Sequence, residues 1–231
     1  VNYDTYGNKG DLKIQIKSLK NDDWDYHAEH DEDDDRTRYT FNFDFDGFDS
    51  DKFDQEVNFK LPPAVPIDME LDFGLGDAHI DLTGLSISEL NLECGLSDVR
   101  LEVEKPNDYK CREVYIESGL GDFNAYGLGN LRSKYLNLEV GLGAAYVDLS
   151  QQTTDMSGDI SVGLGSLELV LPEKANIKIR VDDSFLSSVD VDDLVKTGHK
   201  EWSTTSWNSR QPTIELDISI GLGSVDIDLV K

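Results

Sequence analysis

The stretch Leu138-Glu139-Val140-Gly141-Leu142-Gly143-Ala144-Ala145-Tyr146-Val147 decides how this chain is read, because its Gly-Leu-Gly core recurs along the sequence. Copies begin at Gly74, Gly119, Gly127, Gly141, Gly163 and Gly221, and Gly95-Leu96-Ser97 is a variant. Along 74, 95, 119, 141 and 163 the intervals are 21, 24, 22 and 22. A fixed period in this range is the signature of a solenoid.

Setting the repeats in register on the first glycine separates inward from outward positions. Three before it stand Leu71, Leu92, Ile116, Leu138, Ile160 and Ile218, and one before it Phe73, Cys94, Ser118, Val140, Val162 and Ile220. These alternate with polar residues, as a half-buried strand requires. Beyond the motif the phase flips by one residue. Ala78, Val99, Phe123, Ala145, Leu167 and Val225 come at plus four, and Ile80, Leu101, Ala125, Val147, Leu169 and Ile227 at plus six. A flip of one turns a straight strand inside out, so a corner must sit at Gly-Leu-Gly. Glycine suits it by accepting positive φ and by carrying no side chain to strike the adjacent coil. The leucine after the first glycine (Leu75, Leu96, Leu120, Leu142, Leu164, Leu222) is expected to form a buried ladder.

From 163 to 221 the interval is 58, too long for one turn. Asp183 to Val191 reads like Glu93 to Leu101, which places a degenerate turn at 185. Ile177, Ile179 and Val181 slip by one against that register, so a bulge is needed. The remaining 36 residues imply an excursion within 192–213, about 14 residues beyond one turn. The expected fold is all-β: a right-handed parallel β-helix of about seven turns with an N-terminal β cap. An antiparallel sandwich of hairpins is the competitor, but the inward residue types recur in phase and Asn-Gly turns are absent.

Length and composition fit one large folded unit, with 231 residues, 38% hydrophobic, and only 6 prolines. No apolar run approaches the 18 residues or so of a membrane span. A signal peptide is not read at Val1, which leaves an upstream export signal or anchor open. The net charge is −26. Such a surface repels phosphate backbones and anionic lipid, which argues against nucleic acid and against direct electrostatic membrane binding.

Charge is densest at the start: residues 21–56 hold 15 acidic and 3 basic side chains, including the run Asp31 to Asp35. By composition that segment is solvated or disordered. Yet Leu12, Ile14, Ile16 and Phe41, Phe43, Phe45 alternate with polar residues, so strands flank the run. Residues 1–66 therefore read as an acidic segment with capping strands, 36–66 closing onto the first turn, and 67–231 as the β-helix.

The stretches Val65 to Gly76, Val162 to Leu169 and Ile214 to Leu229 resemble the bacterial toast-rack domain. That domain is related to domains of cell-wall-active antibiotic-response proteins and to β-helical adhesin-like domains. Asp192 through Thr205, with Leu194, Lys196, Gly198, Trp202, Ser203 and Thr204, resembles the excursion before the family's last strand. The resemblance covers about 65–231, and the acidic start has no matching counterpart. It implies an extracytoplasmic module, periplasmic or at the cell surface, with a sensing, regulatory or adhesin-like role and a protein or glycan partner. It carries over no catalytic residue, and the chain is expected not to be an enzyme.

Candidate sites have plain alternatives. Outward ladders of carboxylates, Asp72, Glu93, Glu117 and Glu139 at minus two and Asp77, Asp98 and Asp122 at plus three, either splay into solvent with the aspartates on corner amides, or bridge through Ca²⁺. No other cofactor is expected. His27 and His30 lie among carboxylates that would solvate them or share a metal. Cys94 and Cys111 could be bonded, or Cys94 could serve as a small buried hydrophobe. Trp202 and Trp207 either meet a partner or pack the excursion onto the solenoid. The rival function is a carbohydrate-binding or carbohydrate-acting β-helix. An enzyme on acidic sugars wants basic residues near paired carboxylates, and only Arg100 interrupts the acidic outward positions of the first turns.

Overall fold

The protein is described by a computed structural model covering residues 2–6, 13–18, 24–33, 36–45, 55–61, 66–183, 187–191 and 193–231, with side chains from Leu61 onward, Asp183 excepted. Ahead of the repeats lie β1 (Asn2–Tyr6), β2 (Lys13–Ser18), β3 (Trp24–Asp33), β4 (Arg36–Phe45) and β5 (Gln55–Lys60). The repeats supply β6 (Pro66–Leu75), β7 (Ala78–Asp81), β8 (Ser86–Leu96), β9 (Val99–Glu102), β10 (Glu113–Leu120) and β11 (Phe123–Tyr126). After a 3-10 turn at Leu128–Leu131 come β12 (Tyr135–Asp148), β13 (Met156–Pro172), β14 (Asn176–Asp183) and β15 (Ser187–Val191). The chain ends with β16 (Val195–Gly198), β17 (Glu201–Ser203) and β18 (Thr213–Val230).

The repeat strands stack in parallel in the order β6-β8-β10-β12-β13-β18-β14. Equivalent positions pair, so Leu92 lies beside Ile116, Ile116 beside Leu138, Leu138 beside Ile160, and Ile160 beside Ile218. Hairpin repeats would pair antiparallel, and these do not. Beyond the corner, β7, β9 and β11 form a second parallel row that continues through the C-terminal half of β12. The minus-three, plus-four and plus-six positions are all buried in one core. Each Leu, Ile, Val or Phe among them contributes about 1.5–3 kcal/mol by leaving water, and the alanines less.

The corner itself corrects the expected leucine ladder. Between the inward Val140 and Ala145, residues 141–144 all face outward or sit at the surface, so the flip occupies four positions rather than one. Leu142 stands at the vertex, 47% exposed. The vertex is convex: the strand entering and the strand leaving both have their inner faces toward the core, and nothing at the bend can point inward. The two glycines do different work. Gly141 lacks a left-handed φ, but a Cβ there would lie 2.6 Å from the Gly119 carbonyl oxygen. Gly143 has φ 146° and a Cβ there would lie 2.0 Å from the Gly121 oxygen, so both backbone and space demand glycine.

A second column, of buried amides, was not foreseen. Asn107 exchanges hydrogen bonds with Ile87, its Oδ1 accepting from the backbone N–H at 2.9 Å and its Nδ2 donating to the carbonyl at 2.6 Å. Asn130 Nδ2 donates to Val103 O at 2.7 Å and Gln152 Nε2 to Ser133 O at 2.9 Å. Asn176 Nδ2 donates to Asn208 O at 2.9 Å and its Oδ1 accepts from Asn208 N–H at 2.8 Å. All four amides are buried, where they satisfy backbone groups that the connecting segments leave unpaired.

The order of the last strands differs from the order along the chain. β18 lies between β13 and β14, so the level of β14 and β15 is the last of the parallel stack and β18 is inserted beneath it. The one-residue slip appears in the register: Asp183 pairs with Ile220 but Ser187 with Gly223, four steps against three, and the turn expected at 185 lies outside the described residues. The excursion forms the antiparallel pair β16 and β17, with β17 antiparallel on β14. At the other end β1 runs antiparallel on β6, β4 on β1 and β3 on β4. Residues 2–6, not 36–66, are thus laid against the first repeat strand, and β5 pairs with β2 in a separate two-stranded sheet. Asp31 to Asp33 belong to strand β3 instead of a disordered run. Both ends of the parallel stack are therefore closed by antiparallel strands.

Neighbouring positions at the corner should respond very differently. Leu138→Ala should cost about 2–5 kcal/mol, whereas Leu142→Ala should stay within about 0.5 kcal/mol, as surface changes do. Denaturant unfolding of the two variants checks this, and equal losses would return Leu142 to the core. Gly143→Ala should destabilise more than Leu138→Ala, because the carbonyl it meets belongs to the backbone.

Candidate functional site

The corner projects a row of leucines. Leu75, Leu96, Leu120, Leu142, Leu164 and Leu222 pair in register from strand to strand and are 65, 50, 42, 47, 47 and 44% exposed. At about 4.8 Å per strand the ridge is about 24 Å long. Single exposed leucines need no explanation, but six in a line form a continuous apolar strip.

The carboxylate ladders run along both sides of this ridge. Asp72, Glu93, Glu117 and Glu139 are exposed on one side and Asp77, Asp98 and Asp122 on the other. Asp98 Oδ1 accepts the Asp122 backbone N–H at 2.9 Å, and Asp122 Oδ1 accepts that of Ala144 at 3.0 Å. These two aspartates thus bind corner amides one strand along. Among the described residues no group of three or more His, Cys, Asp or Glu side chains is placed to hold a metal ion.

Past the corner, Arg100 and Glu102 of β9, Tyr126 of β11 and Asp148 of β12, with Gln151 beyond it and Asn130 of the 3-10 turn, line a polar cleft of about 490 Å³. Arg100 Nε donates to Glu102 at 2.8 Å, and its guanidinium lies 4.2 Å from the Tyr126 ring centroid. Tyr126 and Tyr146 have ring centroids 5.1 Å apart. His79 Nε2 is 2.9 Å from Glu102 Oε2. The hydrogen bonds from His79 and then Arg100 hold the Glu102 carboxyl below its usual pKa. Hydrogen bonds donated by the Thr83 hydroxyl and backbone N–H do the same for Asp81. Both carboxyls move away from what a general acid requires, which is a raised pKa.

With this geometry in hand the relatives can be placed. The family described as the N-terminal domain of toast_rack, DUF2154, matches residues 1–126, more than half of the chain. The chain belongs to the toast-rack family. The match begins at residue 1, so the acidic start, which has no counterpart in the resemblance read from the repeats, lies within the family domain, and the match ends at the last residue of β11. No curated protein matches. A crystal structure described as a "putative cell adhesion protein" from Clostridium sporogenes is similar over 97% of this chain and 85% of its own, at 16% identity and a TM-score of 0.47.

The remaining candidates of this toast-rack chain separate cleanly. Trp202 is half-buried against the core with the Lys196 ammonium 5.0 Å from its ring centroid, whereas Trp207 is 58% exposed. The structure therefore divides the pair: Trp202 packs the excursion and Trp207 faces solvent. The side chains of His27 and His30 lie outside the described residues. Residues the sequence reading passed over are Tyr126 and Tyr146; their signal was an aromatic at outward positions one strand apart.

Cys94 and Cys111 are both buried and not bonded to each other. Burial pushes each thiol up to about 12, with the Asp72 charge adding to the effect at Cys94. Thiolate is the reactive form. At pH 8 the native protein should therefore leave both thiols unreacted with Ellman's reagent, and two should appear on unfolding in guanidinium. A native thiol reacting at the unfolded rate would contradict the burial.

Proposed function

We propose that this toast-rack protein is a non-enzymatic interaction module of the bacterial envelope or cell surface, acting outside the cytoplasm. The observation that carries the reading is the exposed leucine ridge, an apolar strip held rigid by the core and displayed by glycines that the stack requires. Membership in the toast-rack family supports it. The stack is read as a right-handed parallel β-helix of about seven turns, with 1–66 as the acidic capping segment and 67–231 as the solenoid. No helix among the described residues is long and apolar enough to cross a membrane.

A glycan-binding role is the second reading, favoured by the cleft, where Tyr126 and Arg100 offer stacking surfaces beside the Glu102 and Asp148 carboxylates. Binding of labelled protein to isolated bacterial envelopes separates the two. Leu120→Ser with Leu142→Ser should weaken retention at least tenfold while Tyr126→Ala leaves it unchanged. The opposite pattern would favour glycan recognition, and a reducing-end assay on envelope polysaccharide should show no new ends. Loss with neither variant would remove both readings.

A further inference from the structure

The chemistry flanking the leucine ridge changes along its length. Leu75 stands between Asp72 and Asp77, Leu96 between Glu93 and Asp98, and Leu120 between Glu117 and Asp122. Leu142 stands between Glu139 and Ala144, Leu164 between Ser161 and Ser166, and Leu222 between Ser219 and Ser224. All of these flanking residues lie one strand apart in register: Glu93 pairs with Glu117, Glu117 with Glu139, Glu139 with Ser161, and Ser161 with Ser219. The ridge is thus apolar throughout, bordered by carboxylates on both sides at its first three leucines, by Glu139 and Ala144 at Leu142, and by serines on both sides at its last two leucines.

We infer that the ridge docks a basic amphipathic helix of a partner protein, an inference that rests on reading the ridge as a contact surface. A strip about 24 Å long matches about 16 helical residues at 1.5 Å per residue. The apolar stripe of such a helix would lie along the leucines, and the lysines or arginines bordering that stripe would meet the carboxylate ladders on either side. The partner's charge has to be positive, because a group covering the ridge also covers carboxylates at three successive levels on each side, and an acidic or neutral neighbour would desolvate them without compensation.

The asymmetry also orients the helix. Its N-terminus carries the positive end of the helix dipole and belongs over the acidic half, with the C-terminal turns over the serines. A second copy of this chain fits less well. Two convex ridges crossing would engage six leucines a side, against about 20–30 residues in an interface of standard size, and each copy carries a charge of −26.

The test uses the full chain and a fluorescein-labelled helical peptide of about 16–18 residues with a leucine stripe bordered by lysines. Two controls accompany it: the same stripe bordered by glutamates, and a scrambled sequence of identical composition. At 0.15 M salt, anisotropy should show the leucine-lysine helix binding at least tenfold more tightly than the scramble, and the glutamate helix not at all. Leu120→Ser with Leu142→Ser should weaken it at least tenfold. Glu93→Gln with Glu117→Gln should weaken it severalfold and flatten its salt dependence, as lost charge pairs do. Unfolding midpoints of the variants establish that each is folded. Equal binding of the scramble, or no effect of the leucine changes, would overturn the inference. Were the leucine pair to abolish envelope retention while the peptide ignored it, the helix would be wrong and the contact surface right. Sedimentation of the wild type as a dimer that the leucine changes dissolve would make the occupant a second copy.

Discussion

Everything in this structure depends on how closely the backbone of one strand approaches the next at the corner. The carbonyl oxygen of each first glycine lies where the next strand's Cβ would be, at 2.5 Å for Gly95 over Gly74 and 2.4 Å for Gly221 over Gly163. At the second glycine the space is smaller still, down to 1.6 Å for Gly223 over Gly165. Because the contact is between main chains it leaves no freedom to adjust, and it holds every strand at the same phase. The inward ladders, the leucine ridge and the carboxylate rows are all consequences of that shared phase.

The period and the inward ladders were legible because burial imposes the same residue class at the same position on every level. Leu142 was misread for an instructive reason. An invariant leucine suggests core, and simple alternation after Val140 also points it inward, but a bend with its convex side to solvent suspends alternation for four residues. The one-residue slip between β14 and β15 was legible from local pattern, whereas the placing of β18 beneath β14 was not, since parallel neighbours carry no mark of their order along the chain. Asn107, Asn130, Gln152 and Asn176 recur at intervals of 23, 22 and 24, close to the glycine period. That column was readable in principle, and attention to apolar positions alone hid it. Strand β1 was missed because five residues of mixed polarity carry too little periodicity to register.

Side-chain chemistry is distributed unevenly over the solenoid. One flank of the corner carries Tyr115, Tyr135 and Arg112 among its carboxylates, each paired with an acidic neighbour, while the other sets the Arg100 guanidinium over Tyr126 with Tyr146 beside it. Arg100 is held there by Glu102 and by Tyr126, so the basic residue that interrupts the acidic outward positions is committed to its own face of the protein. The ridge between these flanks is fixed in position by the main-chain contacts of its glycines with the strand before. A surface of that kind offers a partner an apolar seat whose position does not adapt, so that recognition rests on spacing and flanking charge.

The insertion of β18 between β13 and β14 bears on how the chain comes to be made. A solenoid whose levels follow one another can add each coil as it leaves the ribosome. Here β14 cannot settle onto β13, because that place belongs to a strand about 30 residues further on. The level of β14 and β15 must wait until β18 has been synthesised and has paired with β13. The 18 residues of β18 act as a keystone, and losing them would open an interior seam instead of shortening the stack by one coil.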